Sequence, residues 1–446
     1  MHSAVEYPKQ FQDSPLGRIP TAWQLDRLES VSEFVTSGSR GWAPYYSDAG
    51  PHFIRIGNLT REHINLRLEN IQHVKLPFGG EGQRTLLLPG DLLISITADL
   101  GIVGIVPNDV GEAYINQHIA LIRLHHKKVD CRWIGHFMAG KAGRHQIRRL
   151  DDSGAKAGLN LPTVRALLVA LPPLPEQHHI AEILDTIDKA ILKTEQLIQK
   201  LKQMKQGFLH DLLTRGVDEN GELRDPARHP EQFRDSPLGR IPNGWTIDQL
   251  RNVGDWLSGG TPSKSQVGYW GGGVPWVCPK DMKRFVLDTT QETLTDAGAA
   301  AGTRFVPPGS IFLVVRGMIL AHTFPVCLAA TRMAFNQDVK GIVPREGIIG
   351  RFLAHWFLAN SARMLGIVTE ATHGTKRIDL DDLHRQYIAI PGVSEQQSIL
   401  AVLETHNLRL ALESSQVAKM RILKVGLMED LLTGRVRTTI FDGAAA

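Results

Sequence analysis

The sequence predicts a mixed fold of α/β (α+β) character, built as two similar modules that each run into a long helix of coiled-coil type. Three observations carry this. The octamer Asp13-Ser14-Pro15-Leu16-Gly17-Arg18-Ile19-Pro20 recurs as Asp235-Ser236-Pro237-Leu238-Gly239-Arg240-Ile241-Pro242, an offset of 222 residues that also relates Trp23 to Trp245, Asp26 to Asp248 and Leu28 to Leu250. Downstream the repeat continues at an offset near 219: Asn116-Gln117 returns as Asn336-Gln337, Glu176-Gln177 as Glu395-Gln396, and Asp211-Leu212-Leu213-Thr214 as Asp430-Leu431-Leu432-Thr433. The two proline-free tracts 176–214 and 395–433 carry apolar residues in alternating steps of four and three. A period this long is no solenoid repeat, so each copy reads as a domain with an appendage.

The first module, from Trp23 to Leu171, has short strands punctuated by Gly and Pro. Phe53 to Asn58 reads as a strand entering a turn, Asp91 to Ile96 as a buried strand that meets Gly101 and Gly104, and Ile115 to Leu124 as a further strand. Trp133 to Arg149 has helical spacing, with Lys141, Arg144, Arg148 and Arg149 gathered at its end. The second module repeats the order: Val274 to Val277, Gly309 to Val314 and the helical stretch Phe352 to Arg363. Loops diverge while the scaffold is kept. Thr36-Ser37-Gly38-Ser39-Arg40-Gly41 faces Ser258-Gly259-Gly260-Thr261-Pro262-Ser263-Lys264, as expected of modules with related tasks and different targets.

The helical seams are Ile180, Leu184, Ile187, Ile191, Ile198, Leu201, Phe208 and Leu212 in the first tract, and Ile399, Leu403, Leu410, Val417, Met420, Leu427 and Leu431 in the second. Both are interrupted at matching points, Thr194 with Glu413 and Lys205 with Lys424. Matched length and matched interruptions predict that the two helices pair with each other rather than each with its own module alone. Each 39-residue tract is about 58 Å long at 1.5 Å per residue. The stretch 217–231, rich in charge, Gly and Pro, reads as an exposed connector.

Composition bounds the chemistry. The 446 residues carry a net charge of +4 and 42% hydrophobic residues, enough for substantial cores. No apolar run reaches the roughly 20 residues of a membrane span, and the N-terminus lacks a signal-peptide core, so a soluble cytoplasmic protein is expected. The cysteines Cys131, Cys278 and Cys327 are isolated, which excludes a disulfide framework and a CxxC metal site. Gly135 to Lys141 misses a phosphate-binding loop, because Ala142 stands where Ser or Thr would hold magnesium and no strand precedes it. His125-His126 and His178-His179 are adjacent pairs, not the i, i+4 spacing of a helical metal site. No Asn/Asp-Pro-Pro-Tyr/Phe tetrapeptide, no strand-borne GxGxxG and no defensible nucleophilic triad occurs. What remains is recognition chemistry. Arg40, Arg55, Lys156, Lys264, Lys280, Arg316, Lys376 and Arg377 lie in or beside turns or strand ends of both copies, where a cationic side chain can meet phosphates or base edges, and Asn58 closes the Arg55 segment.

Two α/β modules, each opened by a Ser-Pro-Leu-Gly-x-Ile-Pro segment and closed by a helix that begins near Glu-Gln and ends Leu-Leu-Thr, resemble the specificity subunit of type I restriction-modification enzymes over nearly the whole chain. Phe53 to Asn58, Ser258 to Lys264, Val315-Arg316-Gly317 and Pro173-Leu174-Pro175-Glu176-Gln177 carry the likeness. The second copy departs at Pro391-Gly392-Val393-Ser394, keeping only the flanking Pro and Glu-Gln. The resemblance implies target recognition domains at 1–172 and 233–391, spacer helices at 173–216 and 392–435, a connector at 217–232 and a tail at 436–446. It further implies an antiparallel helix pair with a pseudo-two-fold, a split asymmetric double-stranded DNA target, two methyltransferase subunits and motor-nuclease subunits. S-adenosylmethionine, ATP and magnesium are then expected on those partners, with no cofactor, metal or catalytic centre in this chain. Two rivals stand beside this reading: a self-contained DNA methyltransferase or nuclease with an unrecognised active site, and a two-module scaffold that binds no nucleic acid.

Overall fold

The computed structural model describes residues 10–76, 82–151, 159–370 and 374–438. The chain divides into two compact units, and neither contains the whole of a long helix. Unit 1 is Met1–Gln196 together with Ser414–Ala446, and unit 2 is Leu197–Glu413. The first long helix, Leu174–Thr214, and the second, Val393–Leu431, are each divided between the units. Among the described residues no helix is long and apolar enough to cross a membrane.

In unit 1 the strands Ser32–Ser37, Ile119–Leu124, Leu92–Ser95 and Val103–Ile105 form one antiparallel sheet, in that order. A second sheet orders Gln72–Val74, Tyr46–Ile54 and Ala113–Ile115, the last two running parallel. Leu92 to Ser95 is buried on both faces, which explains why that run reads as continuously apolar rather than alternating. The expected strand Phe53 to Asn58 ends at Ile54, because Ile56–Asn58 tightens into a 3-10 turn. Ile115 to Leu124 is two strands, parted by a turn in which the Asn116 side chain accepts the His118 N–H at 3.2 Å. The expected helix Trp133 to Arg149 is two helices, Cys131–Ala139 and Lys141–Asp151, broken at Gly140. Unit 2 repeats the plan with a five-stranded sheet around Ile311–Val314 and a four-stranded sheet in which Trp270–Val277 runs parallel to Met333–Phe335.

The repeated Glu-Gln pair has a structural reason. Gln177 is buried, accepts the Asp130 N–H at 3.0 Å and donates to the Pro172 carbonyl at 2.8 Å, so it ties the start of the long helix to the start of Cys131–Ala139. Gln396 does the same in unit 2, with the Ile349 N–H at 2.8 Å and the Pro391 carbonyl at 2.9 Å. Buried backbone groups at helix ends demand such partners.

Within each unit the two helix segments run antiparallel. In unit 1 the ion pairs Glu176–Arg437, Asp188–Lys424 and Glu195–Arg421 descend one segment as they ascend the other. Ile180 and Leu184 join Leu431 in the same apolar cluster, with Leu427 packed against it. In unit 2 Leu212, Ile399 and Leu403 share a cluster with Phe208 beside it. Every seam residue expected from the spacing is buried or half-buried. The seam interruption at Lys424 is filled by chemistry: its ammonium lies 2.5 Å from the buried Asp188 carboxylate and donates to the Glu62 carbonyl at 2.6 Å. At the other interruption, Thr194 turns its hydroxyl back to the Ala190 carbonyl at 2.9 Å.

Candidate nucleic-acid interface

In each unit two adjacent parallel strands end side by side, one at the Asn-Gln dipeptide and the other beside a cationic residue expected from the sequence, Arg55 in unit 1 and Lys280 in unit 2. In unit 1 the strand ending at Ile54 delivers Arg55 and the strand ending at Ile115 delivers Asn116, whose N–H donates to the Ile54 carbonyl at 3.1 Å. Arg55, Asn58, Arg67, Glu69, Asn70, Asn116 and His118 surround an open cavity of about 540 Å3. The half-buried Arg55 lies 6.0 Å from the Tyr46 ring centroid, a face that steers a guanidinium without consuming its donors. The edge of the site holds Thr97, whose hydroxyl meets His118 Nδ1 at 2.5 Å, and Gln117, which meets His118 Nε2 at 2.9 Å.

Asn58 stands differently from the expectation that placed it against DNA. It is buried, its side-chain oxygen accepts the Arg55 N–H at 2.9 Å, and its amide donates to the Arg67 carbonyl at 2.8 Å. Its work here is to hold the turn that presents Arg55. Arg40 is exposed and makes no ion pair among the described residues. Lys156 lies outside the described residues.

Gly38 and Gly259 show why both loops carry glycine at this point. A Cβ on Gly38 would stand 2.3 Å from the Asn116 backbone, and one on Gly259 would stand 2.1 Å from the Phe335 carbonyl. The loop backbone therefore lies directly on the strand end, which brings the Arg40 loop and the Lys264 loop to the same edge as Asn116 and Asn336.

Unit 2 uses the same frame with other side chains. Arg316, Lys376 and Arg377 come together: Arg316 and Arg377 form a β-bridge, and the Gly317 N–H donates to the Lys376 carbonyl at 2.9 Å. The Arg316 guanidinium is 3.8 Å from Asp338, and Lys376 pairs with Glu370 at 2.6 Å. Thr261 donates to Gln337 at 2.6 Å. Lys264 lies against Glu292 at 3.0 Å and over the Trp270 ring at 5.1 Å, apart from the arginine cluster. Lys280 is exposed, two residues beyond Cys278. Burial, and then a hydrogen bond to Asp281, push the Cys278 thiol up to about 11, and burial pushes Cys327 up to about 12, so neither is a thiolate near neutrality. Among the described residues no three His, Cys, Asp or Glu side chains converge as a metal site requires.

Thr97 and His118 in unit 1 occupy the positions that Arg316 and Asp338 occupy in unit 2, at the ends of equivalent strands. One frame thus presents a hydroxyl–imidazole pair on one side and a guanidinium–carboxylate pair on the other. Sequence reasoning named Arg316 but missed Thr97, His118 and Asp338. The signal was present in the recurrence of Asn116-Gln117 as Asn336-Gln337, since the residue that follows each dipeptide is the one that diverges.

A family model described as the type I restriction modification DNA specificity domain matches residues 44–203 and again residues 242–419. A type I restriction enzyme specificity subunit from Escherichia coli is 32% identical over 185 residues, 41% of this chain and 46% of that protein, so less than half of that relative is spanned. One from Methanocaldococcus jannaschii is 23% identical over 445 residues, 96% of this chain and 97% of its own length. A chain solved in the setting of complex assembly and conformational transition of the type I restriction-modification system aligns with a TM-score of 0.55 at 16% identity, over 94% of this chain and 99% of that one, a likeness of fold.

Proposed function

Because the chain belongs to the type I restriction modification DNA specificity domain family, matched once in each half, we propose that it is the DNA-reading subunit of such a complex, each unit specifying one half of a split, asymmetric target. The observation that carries this is the shared strand-end frame with divergent side chains, Thr97 and His118 against Arg316 and Asp338. Side chains held at one geometric position and varied in donor and acceptor pattern are what direct readout of base edges requires. The chain is non-catalytic in this reading: methylation and DNA cleavage belong to modification and motor-nuclease subunits, with S-adenosylmethionine, ATP and magnesium bound there. The second long helix supports a role in holding partners, since Leu408 and Leu412 stand exposed one turn apart on the same helix face, and neighbouring bare apolar side chains, unlike a lone surface leucine, favour a covering surface.

Arg55→Ala and Arg316→Ala test the readout. Each is expected to remove about 1–3 kcal/mol of discrimination at one half-site and leave the other unchanged. Selection of bound sequences from a randomised DNA pool by the assembled complex measures this. Equal weakening on all sequences would reassign the residue to phosphate contact, and unchanged binding by both variants would overturn the assignment of the strand-end surface.

A second expectation concerns chain order. Gln10 and Phe11 near one end line the same cleft as Gly434, Arg435 and Arg437 near the other. Joining Ala446 to Met1 by a short flexible linker and opening the chain between the exposed residues Asn220 and Gly221 is therefore expected to keep the DNA target and partner assembly. A folded permutant that loses both would count against the packing of the C-terminal segment on the first module.

A further inference from the structure

The internal repeat supplies a template for a site that is closed in unit 2 and open in unit 1. In unit 2 the chain leaves the first long helix at Thr214 and folds back over it. Val217 is 2% exposed, and Leu223 packs with it into the cluster that holds Leu213, Ile241 and Trp245, with Leu209 at its margin. Between these two anchors stand Asp218, Glu219 and Glu222. The segment is folded by the Asp218 carboxylate, which accepts the N–H groups of Asn220 at 2.9 Å and Glu222 at 2.8 Å, and by a bridge between Val217 and Leu223.

The counterparts of Leu209, Leu213 and Pro242 in unit 1 are Met428, Leu432 and Pro20. They line an open cleft of about 890 Å3. Val436, the counterpart of Val217, is 50% exposed instead of buried. The indole N–H of Trp23 is buried with no partner among the described residues, whereas that of its counterpart Trp245 donates to Glu395 at 3.1 Å. The place covered by the connector in unit 2 thus has no equivalent cover among the described residues of unit 1.

The rim of the cleft also differs. Lys141, Arg144, His145 and Arg148 stand on the helix Lys141–Asp151 where unit 2 has Asn360, Arg363, Met364 and Ile367. None of these four side chains has an ion-pair partner among the described residues, and burial, then the like charges of Arg61 and Arg148, press the Arg144 guanidinium down from its ordinary value. Unpaired cations around an apolar floor favour an occupant with carboxylates flanked by apolar side chains.

We propose that this cleft is the docking site for an acidic segment of a protein partner, laid over Met428 and Leu432 as the connector is laid over Leu209 and Leu213, with its carboxylates toward Lys141, Arg144 and Arg148. The inference rests on the repeat and the charge of the rim, and it stands apart from the reading of DNA.

The connector itself is the natural probe. A fluorescently labelled peptide with the sequence of residues 216–225 is added to the full chain and followed by anisotropy. Saturable, salt-sensitive binding is expected, weakened at least tenfold by the double change Lys141→Glu with Arg144→Glu, and absent for a peptide whose acids are replaced by lysine. Arg148→Gln, at an exposed position, is expected to give a smaller loss and keeps the test decisive if the double variant unfolds. Absence of saturable binding, or equal binding to all variants, would overturn the proposal. So would displacement of the peptide by random duplex DNA at the same salt, which would make the cleft a nucleic-acid surface. Binding that emerges only after residues 439–446 are removed would overturn it too, by assigning the cleft to the chain's own end.

Discussion

Replacing Lys424 by alanine is expected to destabilise the chain by about 3–5 kcal/mol, because it strands the Asp188 carboxylate, 3% exposed, without its cation. The cost comes from the unpaired buried charge rather than from lost attraction. Asp188→Leu combined with Lys424→Met is accordingly expected to restore most of the stability, since an apolar pair of similar volume needs no solvation. Urea denaturation of the three variants measures this, and a loss below about 1 kcal/mol for the single change would mean that water reaches Asp188.

His63 adds a pH signature. Its pKa is lowered, first by burial, with Asp188 pulling up and Lys424 pushing down. In the parent chain a lowered histidine costs stability as pH falls below its unfolded value, about 6.5, because the folded state resists the proton. Without Lys424 the pull of Asp188 has no such opponent, so the His63 pKa moves back up toward its ordinary value and the variant loses less stability than the parent as pH falls below about 6.5. The deficit of the alanine variant should therefore shrink from pH 8 to pH 5.5. A deficit that grows on acidification would exclude His63 as the substitute cation.

Glu395→Ala is the second large change, again about 3–5 kcal/mol, and it acts in unit 2. Glu395 accepts the Val217 N–H at 3.1 Å and the Trp245 indole N–H at 3.1 Å, and it pairs with Arg224. One carboxylate thus fastens helix, module and connector together. Among the described residues the equivalent Glu176 holds only Arg437, through two bonds of 2.6 and 2.7 Å, and that arginine is 39% exposed and able to recover water. Glu176→Ala should therefore cost distinctly less. Equal losses in denaturation of the two variants would show that the connector is not held through Glu395.

The repeat made much of this fold legible. A duplicated Glu-Gln pair and two matched seams were readable because buried positions constrain residue type: Gln177 and Gln396 each need an amide that can both accept and donate. The seam spacing located Ile180, Leu184, Leu212, Ile399 and Leu403 in the cores where they lie. What could not be read was the division of the chain into units that share both helices, since spacing along one helix does not say which stretch of the other it meets. The proposed recognition surface was legible only where cations marked it. Arg316, Lys376 and Arg377 meet as a group, but Thr97 and His118 are ordinary in sequence and acquire meaning only from the strand ends that place them. Asn58 looked like a readout residue because it follows Arg55, and its burial shows that a turn needed an amide there.

The division of both helices between the units sets an order of events during synthesis. Unit 2 is one continuous stretch and can close its contacts as soon as its last helical segment has emerged. Unit 1 cannot, because the segment from Ser414 onward that seals its apolar helix face is made last. At 5–20 residues per second the intervening stretch takes roughly ten to forty seconds to translate. For that interval Ile180, Leu184 and the residues around them lack the side chains that bury them. The half made first is therefore the half completed last, and a nascent chain halted before Ser414 should display a sticky helix that holdase chaperones recognise.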